Sequence, residues 1–302
     1  MVGSAIKRQL KLNGYENLIL INRSDLDLLN QKMVNDFFIK NKPEYVFLCA
    51  AKVGGILANN QYRADFIYEN IQIQNNVIYH SHLYNVKKLI FLGSSCIYPK
   101  NSQLPIKEDS LLTGLLEKTN EPYAIAKIAG IKMCESYFQQ YGSNFFSLMP
   151  CNAYGKNDNY DLKSSHVLPA LIRKFHEAKT NNLSKVVIWG TGKPLREFIF
   201  VDDIAVGAIH VMNLEFHKLY DSGITHLNIG SGYEITIRDL ARMIAEIVGF
   251  TGELYYDHSK PDGTLSKLMD SSRINQLGWS PHTSLRDGIK KSYQYFLTEI
   301  NE

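Results

Sequence analysis

Along the first 150 residues, short apolar runs alternate with longer stretches of helical periodicity, and that alternation leaves very few folds open. Residues 1–10 read as a helix already under way, stopping near Asn13-Gly14 and followed by an apolar strand at 18–21. An amphipathic helix over 28–40 precedes the strand 45–49. A long helix over about 64–84 precedes the strand 88–93, and a helix over 123–140 precedes the strand 145–150. Strands separated by whole helices pair in parallel, with the helices on both faces, which predicts an α/β fold built on a doubly wound parallel sheet of Rossmann type. In such a sheet a ligand lies across the carboxyl ends of the strands.

Those ends hold reactive side chains. Gly93-Ser94-Ser95-Cys96-Ile97-Tyr98-Pro99 follows one strand, Ala50-Ala51-Lys52-Val53-Gly54-Gly55 another, and Asn152 a third. On the helix opened by Pro122, Tyr123 and Lys127 stand four residues apart and so share a face. An ammonium beside a phenol favours phenolate, which tunes the phenol as a general acid for carbonyl reduction. A hydroxyl of Ser94 or Ser95 can bind the same carbonyl oxygen. The spacing recurs at Tyr84/Lys88 and Tyr256/Lys260, but the former spans a helix end and a new strand, and 256–261 is loop-like. Around Tyr123, Asn120 supplies an N-cap, Pro122 a first-turn residue and Gly142 a stop.

After Pro150 the rhythm weakens. Residues 157–165 read as a polar loop, 167–178 as a helix and 186–190 as a strand before the turn Thr191-Gly192-Lys193-Pro194; 196–203 is a strand closing into a helix capped by Asp202 or Asp203. A chain of 302 residues predicts about two domains. We assign residues 1–157, rejoined by 198–228, to the dinucleotide, and 158–197 with 229–302 mainly to a smaller α/β substrate domain. The charge of +3, from 33 basic and 30 acidic side chains, is too balanced for a nucleic-acid groove. No apolar run reaches the roughly 18 residues of a membrane span, and no signal peptide precedes the first helix. Cys49, Cys96, Cys134 and Cys151 form no C-x-x-C pair, as expected of reduced thiols in a cytoplasmic protein. Cys96 is the exception, a thiol placed among the serines as a candidate acid or base. No metal site is expected. Ile67, Ile71, Ile78 and Ile131 extend the apolar surface of two helices beyond one stripe, which predicts a homodimer. After Ile21 comes Asn22-Arg23, where an NAD site would place a carboxylate; arginine there favours the phosphate of NADP.

AAKVGGI at 50–56, LGSSCIYP at 92–99, NEPYAIAKIAG at 120–130, SSHVLPALIRKFHEA at 164–178, residues 189–203 and KPDGT at 260–264 together resemble the extended short-chain dehydrogenase/reductases that act on nucleotide sugars. The match spans nearly the whole chain. It implies NADPH-dependent epimerisation at carbons 3 and 5 and reduction at carbon 4 of GDP-4-keto-6-deoxy-D-mannose. Ser94, Tyr123 and Lys127 would serve hydride transfer, and Cys96 and His166 would be base and acid of epimerisation. For NADP it implies Gly3, Arg23, Ser24, Asp25, Leu26, Asp27, Leu28, Leu92, Gly93, Ser94, Ser95, Lys127, Pro150, Cys151, Asn152, Ala153 and His166. Around the GDP-sugar it implies Lys174, Trp189, Arg196 and Asp262. Arg196, costly to bury alone, needs either Asp262 or a ligand phosphate.

The family begins with a strand and a Gly-x-x-Gly-x-x-Gly turn, of which only Gly3 is present, so the sheet is expected to lack its first strand here. A strand of about 5–6 residues and the turn are expected upstream, and NADPH affinity is expected to suffer without them. Among alternatives, a 4,6-dehydratase would carry an Asp-Glu pair where this chain has Cys96-Ile97. A 4-epimerase would recycle a tightly held NAD and need no thiol base. A non-catalytic binding protein would have no use for Ser94, Tyr123 and Lys127 together.

Overall fold

The computed structural model describes residues 1–162, 164–260, 262 and 264–300. In chain order the elements are α1 (Val2–Leu12), α2 (Gln31–Asn41), β1 (Tyr45–Leu48), α3 (Ile56–Gln61), α4 (Arg63–Leu83), β2 (Lys88–Leu92), α5 (Glu121–Tyr141), β3 (Phe145–Pro150) and β4 (Asn152–Tyr154). There follow α6 (Val167–Thr180), β5 (Lys185–Trp189), β6 (Leu195–Phe200), α7 (Val201–Met212), α8 (Phe216–Asp221), β7 (His226–Ile229), β8 (Glu234–Thr236), α9 (Ile237–Val248), β9 (Glu253–Asp257), α10 (Ser272–Gln276) and α11 (Leu285–Glu299).

The main sheet is parallel, in the order β1-β2-β3-β7. Its inner strands bury Leu89, Ile90, Phe91, Phe145, Phe146, Leu148 and Met149, the continuous apolar runs of strands covered on both faces. α4 and α5 pack together against β1, β2 and β3, while α1 and α7 pair and α7 lies along β2. Smaller sheets follow: β4-β6-β8, mixed, and β5-β9, parallel. Buried apolar side chains form two clusters. One gathers around the main sheet and includes Ile204, Leu227 and Trp279; the other joins α6, β5, β6, α9 and α11 through Phe175, Ile188, Phe198, Ile244 and Phe296.

Several expectations need correction. Residues 18–21 form no strand; Ile19, Leu20 and Ile21 are 45%, 53% and 40% exposed. An apolar run becomes a strand only beside another strand that offers a ladder. Among the described residues β1 pairs with β2 alone, and segment 18–21 pairs with no strand. α2 begins at Gln31 rather than near 28, because the Asn30 side chain accepts from Met33 N at 3.1 Å and starts it. Neither Asp202 nor Asp203 caps α7: Asp202 pairs with Arg8, and Asp203 accepts from Thr283 N at 3.0 Å. Tyr256 lies on β9, not in a loop. Ile78 and Ile131 are fully buried within the chain, so they offer no surface to a second copy. Of the KPDGT stretch, Pro261 and Gly263 lie outside the described residues, as do residues 301–302. No described helix is long and apolar enough to cross a membrane.

Candidate active site

The site starts where β2 runs out. At Gly93 a β-carbon would stand 2.3 Å from Met149 Sδ, so a larger residue here would have to displace the buried Met149 side chain as β2 enters the loop. Ser94 continues extended, and its Oγ accepts from Cys96 N at 3.2 Å, which turns the chain into a single 3₁₀ turn over Ser95–Ile97. The loop is anchored from beneath. Tyr98 Oη donates to Asn228 Oδ1 at 2.5 Å, and Asn228 N donates to the buried Glu108 at 3.0 Å.

Lys127 arrives from α5 and is 3% exposed. Its Nζ donates to Leu92 O at 2.8 Å and stands 4.7 Å from the Phe91 ring centre and 5.8 Å from that of Tyr123. Burial pulls its pKa down to about 8, partly opposed by the Cys49 thiol. Tyr123 moves the other way. Burial and the charge of Cys96 raise its pKa, and a hydrogen bond with Ser94 only partly offsets them. The expected phenolate is therefore not favoured: Lys127 is engaged by a carbonyl, and desolvation outweighs any attraction to it. Tyr123 is a neutral O–H donor held beside Ser94.

Cys96 is half-buried, and Asn120 Nδ2 donates to its Sγ at 3.2 Å. Asn120 occupies the N-cap position of α5, but its side chain makes no capping bond. From the sequence it reads as a cap; its contact with Cys96 was not foreseen, because 24 residues separate them. His166 occupies the N-cap position of α6 and is exposed on its solvent side, while desolvation on its protein side lowers its pKa from the ordinary imidazole value. The loop ahead of it reaches β1's carboxyl end, where Gly55 N donates to Ser164 O at 3.2 Å. All four cysteines are free thiols, and burial pushes Cys49 up to about 12.

The residues predicted for NADP lie around these strand ends. Gly3 is in the first turn of α1, its ideal β-carbon 3.6 Å from that of Cys49. Arg23 is 83% exposed and 3.7 Å from Glu69. In the segment from Arg23 to Leu28, Ser24, Asp25 and Asp27 are exposed, Leu26 is buried, and Asn76 holds Leu28 O at 2.7 Å. Leu92 is buried under the Lys127 contact, and Ser95 is also buried. Past β3, Pro150 leads to Cys151, whose N donates to Ile229 O at 3.1 Å; Asn152 Nδ2 donates to Glu197 O at 2.7 Å, beside Ala153.

The residues predicted for the GDP-sugar gather at the ends of β5 and β6. Trp189 is 51% exposed, so it is not core packing; Lys174 and Lys260 stand 5.4 and 5.6 Å from its ring centre. Lys260 was not among the residues expected at the GDP-sugar, since its four-residue spacing from Tyr256 says nothing of a contact with Trp189. Arg196 bonds the carbonyls of Leu195 and Thr264, both at 2.6 Å, and burial lowers its pKa against the charges of Glu234 and Asp262. Asp262 accepts from Thr191 N and Oγ1 at 2.9 and 2.6 Å instead of pairing directly with Arg196. A cavity of about 840 Å³ lies under residues 99–118, and another of about 560 Å³ between α6 and α11; neither is lined by the predicted residues. Among the described residues no three His, Cys, Asp or Glu side chains gather as metal ligands.

A parallel sheet with a Ser-Tyr-Lys group at its strand ends and a smaller lobe beyond is the build of a nucleotide-sugar oxidoreductase or epimerase. Residues 1–230 match the NAD dependent epimerase/dehydratase family, and the chain belongs to it. It is 55% identical over 300 residues to a protein described as putative GDP-L-fucose synthase 2 of Arabidopsis thaliana, covering 99% of this chain and 90% of that one. It is 53% identical to the GDP-L-fucose synthase of Escherichia coli K12, covering 98% and 94%. Among solved structures, MlghC, a GDP-mannoheptose C4 reductase from Campylobacter jejuni with NADP bound, superposes with a TM-score of 0.90 at 47% identity, covering 98% and 95%.

Proposed function

We propose that the chain is an NADPH-dependent enzyme that epimerises carbons 3 and 5 of GDP-4-keto-6-deoxy-D-mannose and reduces carbon 4, giving GDP-L-fucose. The observation that carries this reading is the meeting of a held thiol, Cys96, with the Ser94-Tyr123-Lys127 group at one strand end, in a chain 53–55% identical to GDP-L-fucose synthases along almost all its length.

The residues fit NADP. α1 presents first-turn N–H groups at the carboxyl end of β1, the geometry that binds phosphate, and Gly3 leaves that approach open. Arg23, exposed and in only a long 3.7 Å pair with Glu69, can turn to meet a 2′-phosphate, and the buried Lys127 has donors to spare for a ribose. When bound, NADPH supplies the hydride for carbon 4. The chain supplies the rest. Cys96 removes the protons at carbons 3 and 5, both acidified by the 4-keto group, and His166 returns protons on the opposite face. Ser94 and Tyr123 hydrogen-bond the 4-keto oxygen, and Tyr123, kept protonated by its burial, gives that oxygen its proton. Lys127 keeps the amino end of α5 fixed against β2.

On the sugar side, exposed Trp189 offers a face to the guanine. Lys174 and Lys260 beside it offer charge to the diphosphate, with Arg196 and Asp262 on the adjoining wall. Residues 1–157 with 198–228 would hold the dinucleotide, and 158–197 with 229–302 mainly the GDP-sugar. We place the enzyme in the cytoplasm as a homodimer that binds neither nucleic acid nor membrane. Incubation with NADPH and GDP-4-keto-6-deoxy-D-mannose, followed by NMR of the product, should give the L-fuco configuration. A product reduced at carbon 4 with carbons 3 and 5 unchanged would make the protein a simple 4-reductase instead.

A further inference from the structure

Three of the described helices spend an N-cap oxygen on the helix itself. Asn30 accepts from Met33 N, Thr236 from Asp239 N and Ser284 from Asp287 N. α5, the helix that carries Tyr123 and Lys127, is different. Asn120 makes no capping bond, its Oδ1 is buried without a hydrogen-bond partner among the described residues, and its Nδ2 is turned onto Cys96 Sγ at 3.2 Å. The side chain has left a favourable job to hold a sulfur.

We propose that Asn120 is the positioning residue of the epimerisation step: its amide N–H orients the Cys96 sulfur and supports it as the thiolate. This rests on the reading of Cys96 as the base. A carboxamide suits that task because it donates without competing for the proton. Cys96 N is already fixed by Ser94 Oγ, so two hydrogen bonds, one to the backbone and one to the sulfur, define where the thiolate points. In the step itself the thiolate takes the proton from carbon 3 or 5, becoming a thiol, while the C–H electron pair passes into the enolate of the 4-keto group. His166 then delivers a proton to the opposite face of that carbon, and the thiol and imidazole return to their starting states by proton exchange with solvent.

Because α5 also carries the reducing tyrosine, a merely structural Asn120 would affect both half-reactions alike. The test therefore separates them. Asn120→Ala removes the donor, and Asn120→Asp keeps size and capping ability while replacing the donor with an acceptor. Deuterium uptake at carbons 3 and 5 is measured without NADPH. Reduction is measured on ketone already epimerised by the wild-type protein and then filtered free of it. Both variants should lose exchange by about 10²-fold. They should alkylate more slowly with iodoacetamide at Cys96, mapped by mass spectrometry, and reduce the pre-epimerised ketone at the wild-type rate. Wild-type exchange in Asn120→Ala, or equal loss of exchange and reduction in both variants, overturns the assignment. Cys96→Ser runs alongside. If it keeps full exchange, the reading of Cys96 falls and takes this proposal with it; if it loses exchange while Asn120→Ala does not, only the role of Asn120 falls.

Discussion

Lys127 links two pH dependences of opposite sign. Its folded pKa, about 8, lies below the ordinary 10.5 because burial disfavours the ammonium. Below about 8 the amine is charged folded and unfolded alike, and its burial opposes folding. Between about 8 and 10.5 the unfolded chain holds the proton and the folded one does not, so this group's contribution to stability rises with pH. The reductive step should move the other way, falling as pH climbs through about 8 and the ammonium is lost. Single-turnover NADPH oxidation and melting temperature, followed from pH 6 to 10 in wild type and Lys127→Met, check both slopes; the variant should show neither inflection. Tyr123→Phe should slow reduction by about 10²- to 10⁴-fold and leave deuterium uptake at carbons 3 and 5 intact, which mass spectrometry of the sugar can read. At this scale the sequence showed which residue types matter but mistook their electrostatics. Four-residue spacing puts Tyr123 and Lys127 on one face, yet it says nothing of the Leu92 carbonyl that occupies the ammonium or of the burial that keeps the phenol protonated.

Elements were legible where their own periodicity decides them and illegible where a neighbour does. α4 and α5 are 21 residues each, and β2 and β3 sit where the apolar runs placed them. Residues 18–21 have the composition of a strand but no ladder to join, which no local pattern can reveal. The packing of α5 against β2 and α4 rests on Gly130. A β-carbon there would lie 2.4 Å from Phe91 Cζ and 2.8 Å from Gln74 Oε1, while Gln74 Nε2 donates to Ala126 O at 2.7 Å. Gly130→Ala should destabilise the protein by about 1–3 kcal/mol by urea denaturation. It should also weaken NADPH binding, because pushing α5 outward draws Lys127 away from Leu92.

For the whole molecule, the sequence conveyed a doubly wound sheet and a second lobe, but its argument for dimerisation was half mistaken. Ile78 and Ile131 serve the core; among the side chains that α4 and α5 leave exposed are Tyr68, Tyr79 and Ile125, at 64%, 41% and 43%. The proposed homodimer should sediment as such at micromolar concentration, and Tyr68→Arg should shift it toward monomer with its circular dichroism unchanged. Wild-type protein that sediments only as monomer would remove the dimer from the proposal.

The two apolar clusters draw on the chain in turns: the sheet cluster takes residues up to Ala153, the other begins with Tyr154, and the sheet cluster resumes at Ile199 and again at Met269. Glu197 ties the turns together, its carboxylate accepting from Gly232 N at 2.8 Å and Met269 N at 3.0 Å. A protease that cuts within residues 157–165 therefore produces two pieces, neither of which owns a complete core. The nicked molecule should stay whole until it melts, which size-exclusion chromatography before and after heating would show.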